Sequence, residues 1–291
     1  MKERIFVLGV PFDPVTKTEV LEAMENAAAG KKQVFITTPN PEICMAAQND
    51  AEFLHILQSA DISFADGIGI LWATNQLQIT NPSIIDKKSI EEKYSTTKKK
   101  SLLLSLITFA RNRKSKYLPE QVCGSDVFRE FCQSTKHPVF LLGGARGAAK
   151  KCQEIFNHFS QDTPLSSNSP TTKQKKDFPI VDVDDGSSAP EDEDRIVQKI
   201  NESGARVLFV AFGAPTQEKW IARNRKKLPH VRVLVGVGGS FDFIAGMQKR
   251  APKLFRALGL EWLWRLLMEP KKRGKRIFTA VWRFPRKVWK G

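Results

Sequence analysis

The chain has 291 residues, 41% hydrophobic and 26% charged, enough to bury a large core in one or two domains. No apolar run approaches the ~18 residues of a membrane-crossing helix. The four cysteines (Cys44, Cys123, Cys132, Cys152) form no C-x-x-C, which argues against a zinc or redox pair and fits a reducing compartment. The opening MKERIFVLGV is too short and too charged for a signal peptide, and residues 4–10 read as a first strand. Thr16 with Glu19 makes a capping box for a helix running to about Ala29. Residues 33–38 read as a second strand; Asn40 caps the next helix with Pro41 at its first position, and Asp50 opens another. Residues 62–65 form a short strand ending at Asp66-Gly67. Further strands are expected at 139–142, 178–183, 206–212 and 231–237. Helices are expected at 125–134, 145–158, 191–202 and 216–227. This alternation predicts an α/β fold, a Rossmann-like, mainly parallel sheet with helices on both faces. In such sheets the ligand sits beyond the carboxyl ends of the strands.

Two segments break the rhythm. Residues 79–116 are rich in Lys and Ser around one apolar run, 102–110, and read either as a second membrane contact or as a small helix packed on the core. Residues 160–176 are Ser/Thr/Pro-rich and read as a mobile loop. After Gly246 the composition shifts to Lys, Arg, Trp and Leu, so residues 1–246 are expected to be the core and 247–291 a basic amphipathic helical appendage. The formal net charge is +15, and residues 249–291 hold fourteen Lys/Arg against two Glu. A basic end on a nearly neutral body implies an acidic partner, nucleic acid or anionic lipid. Trp and Lys/Arg interleaved at helical spacing fit a membrane interface. Before Pro270 the apolar residues also suit packing on the core. Beyond it the membrane reading is favoured, because little apolar surface should remain to cover.

Several strand ends carry small or polar residues. They are Thr37-Thr38-Pro39-Asn40, Asp66-Gly67, Gly143-Gly144, Gly213-Ala214-Pro215-Thr216-Gln217-Glu218 and Gly236-Val237-Gly238-Gly239-Ser240. Any one glycine here is explained by a turn; five at one sheet edge favour a nucleotide or phosphate site. None forms G-x-G-x-x-G or a P-loop. Asp66 follows a strand directly, so its carboxylate suits a general base, although from local sequence an Asx-turn or helix cap is the more common role. Asp182-Val183-Asp184 is a D-x-D, but it runs into further acidic residues and reads as a solvated acidic turn feeding a helix rather than a metal site. His55, His137, His158 and His230 are far apart and suggest no metal. No cofactor is expected.

The segments TPNPEICMAAQND, ADGIGILWA, VAFGAPTQEKWIARNR and VGVGGSFDFIAGMQKRAPKLFRALGLEWLWRLLMEP occur in this order. They closely resemble the WecG/TagA/CpsF family, glycosyltransferase family 26, over residues 6–270. The resemblance implies inverting transfer from a UDP-sugar, often of N-acetylmannosamine or its uronate, to undecaprenyl-diphosphate-linked N-acetylglucosamine. It implies no obligatory metal and places the enzyme at the inner face of the cell membrane. By motif, Asp66 matches the catalytic base, Thr38 and Asn40 the polar residues beside it, and Gln217 the active-site glutamine. Gly124 and Asp126 lie in a matching segment, residues 117–128. Gly238, Phe241 and Asp242 lie in a nucleotide-binding-like segment. Gly67, Gly143, Gly144 and Gly213 complete the expected crevice, with Arg250, Arg256 and Arg265 near the departing diphosphate. The insertion at 79–116 departs from the family pattern. Two rival classes stay open from the residues alone: an NAD(P)-dependent oxidoreductase, which lacks its glycine fingerprint after the first strand, and a nucleic-acid-binding protein, which leaves Asp66 and the glycine edge unexplained. Oligomeric state is left open.

Overall fold

A computed structural model describes residues 3–76, 114–144, 147–162, 179–247, 252 and 261–290. Two segments singled out above lie largely outside these: the apolar run 102–110, with most of the insertion around it, and all but the start of the Ser/Thr-rich stretch.

The first strand is the main correction to the sequence reading. Residues 4–10 do not enter the central sheet. Instead β1 (Ile5–Val7) folds back on β2 (Val10–Phe12) as a separate antiparallel hairpin. Leu8 and Gly9, with φ of 50° and 77°, make the tight two-residue turn.

The expected capping box opens α1 (Lys17–Ala29), with Thr16 and Glu19 exchanging both side-chain-to-backbone bonds. After β3 (Val34–Thr37), the Asn40 side chain accepts from Ile43 N–H at 2.9 Å to start α2 (Pro41–Ala47). Asp50 does the same for α3 (Ala51–Gln58) through Phe53 N–H. Then follow β4 (Ile62–Ser63), α4 (Ile68–Gln76), α5 (Gly124–Ser134), β5 (Val139–Gly143), α6 (Ala148–Asp162) and β6 (Ile180–Asp184). Next come α7 (Pro190–Glu202), β7 (Val207–Ala211), α8 (Thr216–Asn224), β8 (Val233–Gly236) and the short α9 (Ser240–Ile244). The carboxy-terminal part is helical: α10 (Glu261–Met268), α11 (Pro270–Phe278), a π turn (Thr279–Arg283) and α12 (Phe284–Lys290).

Six strands form one parallel sheet in the order β4-β3-β8-β7-β5-β6. The central ones are near-continuous apolar runs, as burial on both faces requires. Ile36, Leu141, Phe209 and Val235 point toward α1, α5, α6 and α9. Phe35, Leu142, Leu208 and Leu234 point toward α3, α7 and α8. The chain leaves β5 outward to β6 but leaves β7 the other way, to β8. The β5/β7 pair is therefore a switch point, the place beyond whose carboxyl ends sheets of this kind bind their ligands.

A third apolar cluster joins the hairpin to α2, α3 and α4, and here a second expectation needs correcting. The segment after Pro270 buries part of its apolar surface on the core. Phe284 is fully buried and Val288 nearly so, packed with Trp72, Leu71 and Leu118. Ile277 is buried too, and Arg276 bonds Glu42 of α2 at 2.6 Å. Phe278 and Trp282 of this segment stay outside, as do Leu267 and Met268 just before it, each more than half exposed.

Gly143 illustrates how tightly the strand ends are built. Its φ is +88°, and a Cβ there would lie 2.8 Å from the Phe212 ring and 3.2 Å from the Ala211 backbone. Gly143→Ala therefore combines a left-handed backbone with a steric overlap and should cost about 2 kcal/mol or more in chemical denaturation. A variant within 0.5 kcal/mol of the parent would show that Phe212 yields freely.

Candidate active site

The site grows from the way two chain segments run on past the sheet. Beyond β3 and β4 the backbones stay side by side: Phe64 N–H bonds Thr37 O and Asp66 N–H bonds Pro39 O, both at 3.1 Å. Asp66 is thereby set against the Thr38–Asn40 turn at the carboxyl edge, half-buried. Gly67, at φ +125°, swings the chain into α4, close to Pro41 and Asn40. Val122 N–H bonds Ala65 O at 3.1 Å and so brings the start of α5 alongside. The first residue of α5 is Gly124. A Cβ there would sit 3.6 Å from Asp66 Oδ2 and 3.6 Å from Thr38 Cγ2. Thr38, Asp66 and Gly124, far apart in sequence, thus meet at one point. The Asn40 side-chain oxygen Oδ1 beside them is used as the α2 cap.

Gly236 connects this corner to a second one. The Thr38 hydroxyl donates to Gly236 O at 3.3 Å, and a Cβ on Gly236 would meet the Gln217 amide at 2.6 Å. Gln217 reaches over that glycine and accepts two backbone bonds through its single Oε1, from Gly213 N–H at 3.1 Å and Gly238 N–H at 2.9 Å. Gly213 and Gly238 have positive φ and open space where a Cβ would point, so both loops border the crevice. Gln217 itself is buried and acts as a clasp between them. Its Nε2 donates to Glu218 Oε1 at 2.8 Å.

Glu218 is the residue that sequence reasoning passed over. An acidic side chain in the first turn of a helix ordinarily faces water and favours the helix dipole. Here it is 1% exposed, Oε2 has no partner among the described residues, and burial raises its carboxyl to about 7. The available signal is the helical spacing of α8: Gln217, Glu218, Trp220, Ile221 and Asn224 are all buried.

The remaining expected residues divide. Gly144, at φ +88°, donates to Ala211 O and lines the β5/β7 edge. Phe241 is fully buried, with its ring packed on Gly144 and 5.1 Å from the ring of Phe128, so it supports the crevice from behind. Asp242 stands in the first turn of the short α9. Asp126 pairs with Arg129 at 3.2 Å on the first turns of α5. Arg250 and Arg256, and the side chain of Arg265, lie outside the described residues.

The D-x-D reading also changes. Asp182 and Asp184 are not in a solvated turn but within β6, and Asp184 is largely buried. Arg195 contacts it at 2.8 Å and Lys199 at 3.1 Å. The Arg195 hydrogen bond, aided by Lys199, lowers its carboxyl to about 2. Among the described residues, no group of three or more His, Cys, Asp or Glu is placed to hold a metal ion. No helix among them is long and apolar enough to cross a membrane.

A relative from Staphylococcus aureus (strain MW2), an N-acetylglucosaminyldiphosphoundecaprenol N-acetyl-beta-D-mannosaminyltransferase, is 26% identical over 278 residues, covering 94% of this chain and 87% of its own length. The proteins of that name from strains MRSA252 and NCTC 8325 are each 25% identical over the same span. The family model described as the glycosyl transferase WecG/TagA/CpsF family matches residues 5–91 and 105–291, taking in both corners of the site and the carboxy-terminal helices. With that match over nearly the whole length of an α/β fold, the chain belongs to the WecG/TagA/CpsF family of glycosyltransferases.

Proposed function

We propose that this glycosyltransferase moves an N-acetylmannosamine-type sugar, with inversion, from UDP to a hydroxyl of a polyprenyl-diphosphate-linked N-acetylglucosamine. The observation that carries the reading is the meeting of Asp66, Thr38 and Gly124 at the carboxyl edge of the sheet, with space left by the glycine. Asp66 takes the proton of the acceptor hydroxyl as its oxygen bonds to the anomeric carbon. The bond from that carbon to the diphosphate breaks on the opposite face, and UDP leaves with the electron pair. The glycine loops held by Gln217 border the crevice where the nucleotide would lie. The names of the relatives support the choice of sugar and acceptor.

A screen of UDP-sugars with a short-chain lipid-diphosphate acceptor, read by mass spectrometry, tests the proposal. A product gaining one N-acetylhexosamine from UDP-N-acetylmannosamine is expected. Transfer only from other donors would move the substrate assignment; release of UDP without any glycolipid product would count against it. The same transfer should proceed at an undiminished rate in excess EDTA, because Asp184 already has two cations as partners. Loss of activity in EDTA, restored by magnesium or manganese, would return Asp182 and Asp184 to consideration as ligands.

A further inference from the structure

We propose that Glu218 is a positioning residue for the nucleotide donor: it fixes the orientation of the Gln217 amide and, through it, locks the two glycine loops at the mouth of the crevice. The inference rests on the reading of that crevice as the UDP-sugar site, and the starting point is the chemistry of one amide. Gly213 N–H and Gly238 N–H are both donors, so Gln217 must present oxygen to both. A flipped amide would set NH2 against two N–H groups and open the clasp. Its NH2 then faces the protein interior, where a donor without an acceptor is costly. Glu218 Oε1, 2.8 Å away, supplies that acceptor. Gly236 completes the arrangement, since a side chain there would displace the Gln217 amide.

Glu218 is an expensive way to supply one hydrogen bond. A leucine would fill the same buried position without a partnerless oxygen, and replacing a poorly paired buried ionisable group by an apolar one is often neutral or stabilising. A residue kept for stability alone has no need of this carboxyl. Gly213 and Gly238 instead explain it: both have left-handed backbones with open space beside them, and the Gln217 oxygen ties the N–H of one loop to the N–H of the other. Holding them in advance spares the donor the entropy of ordering them.

The test compares Glu218→Leu and Glu218→Gln with the parent chain in thermal melts, UDP titration by calorimetry and steady-state kinetics. Glu218→Leu should melt at or above the parent temperature. Its Kd for UDP and its donor KM should nonetheless rise about tenfold, the loss expected when one hydrogen bond of this kind is removed, with kcat within about twofold. Glu218→Gln keeps the acceptor carbonyl and should restore both constants to within about twofold. If Glu218→Leu does not fold, Glu218→Met, unbranched and closer in shape, takes its place. A folded apolar variant that binds UDP like the parent would overturn the inference, as would equal losses of binding and stability in the apolar and Gln variants. If the parent chain takes up no UDP, the reading of the crevice fails first. Amide exchange at Gly213 and Gly238 then judges the clasp: faster exchange in the apolar variant alone supports it, and unchanged exchange overturns it.

Discussion

Asp66→Asn should lower turnover by about 100-fold or more while leaving UDP binding nearly unchanged. The substitution keeps the size of the side chain, and the backbone bond from Asp66 N–H to Pro39 O survives it, so the edge of the sheet should keep its shape. What is lost is the capacity to accept the acceptor's proton as the new glycosidic bond forms. The expected split, a fall in kcat with the Kd for UDP held, follows from the positions of the two corners. Asp66 lies beside Thr38 and Gly124, whereas the loops held by Gln217 lie beyond Gly236. Comparing single-turnover rates with UDP titrations of parent and variant checks both halves. Parent-like turnover would remove Asp66 from the chemistry. A parallel loss of UDP affinity would instead make it part of the nucleotide site.

The second large effect concerns the carboxy-terminal helices, for which the structure reverses an expectation. The composition of residues 270–291 suggests an appendage that can be removed after Glu269 without harm to the fold. Phe284 and Val288 are instead part of the cluster that also holds Trp72, and Phe284 Cε1 would come within 3.9 Å of a Cβ on Gly69 in α4. Phe284→Ala alone should cost about 3 kcal/mol through the cavity it leaves. Truncation after Glu269 should cost more and should loosen α2 and α4, which follow the Asn40 and Asp66 turns directly. Denaturant unfolding of both variants is the measurement; parent-like stability of the truncated chain would show that this docking is marginal.

We propose that the membrane contact expected from the basic composition is made by a different set of residues. Phe278 and Trp282 are one helical turn apart on the open side, with the Arg286 guanidinium 5.5 Å from the Trp282 ring centre. Arg283, Lys287 and Lys290 belong to the same run of helix. Each cation near an anionic surface can contribute about 1 kcal/mol. The aromatic pair suits the headgroup level. Replacing Phe278 and Trp282 together by Ser should abolish flotation with anionic liposomes at moderate salt without lowering the melting temperature. Full flotation of that variant would place the contact elsewhere.

Local patterns in the sequence were sufficient to determine the alternating strands and helices, the capping residues Thr16, Asn40 and Asp50, and the concentration of glycines at strand ends. Each of these is a property of neighbouring residues: apolar periodicity, a side chain one turn from an open N–H, a backbone angle available to glycine. Motif resemblance added Asp66, Thr38 and Gln217 as a set. Only the tertiary structure decided which of these meet. Residues 5–12 form a hairpin apart from the sheet because Leu8 and Gly9 turn the chain, although the apolar run reads as one strand. The aspartates of the D-x-D are claimed by Arg195 and Lys199 on the following helix. Phe284 finds a pocket made largely by residues more than 160 positions earlier. Glu218 reads as a surface carboxylate until α8 is laid on the sheet, because burial and hydrogen-bond partners depend on which face of a helix is covered, and that is set by contacts distant in sequence.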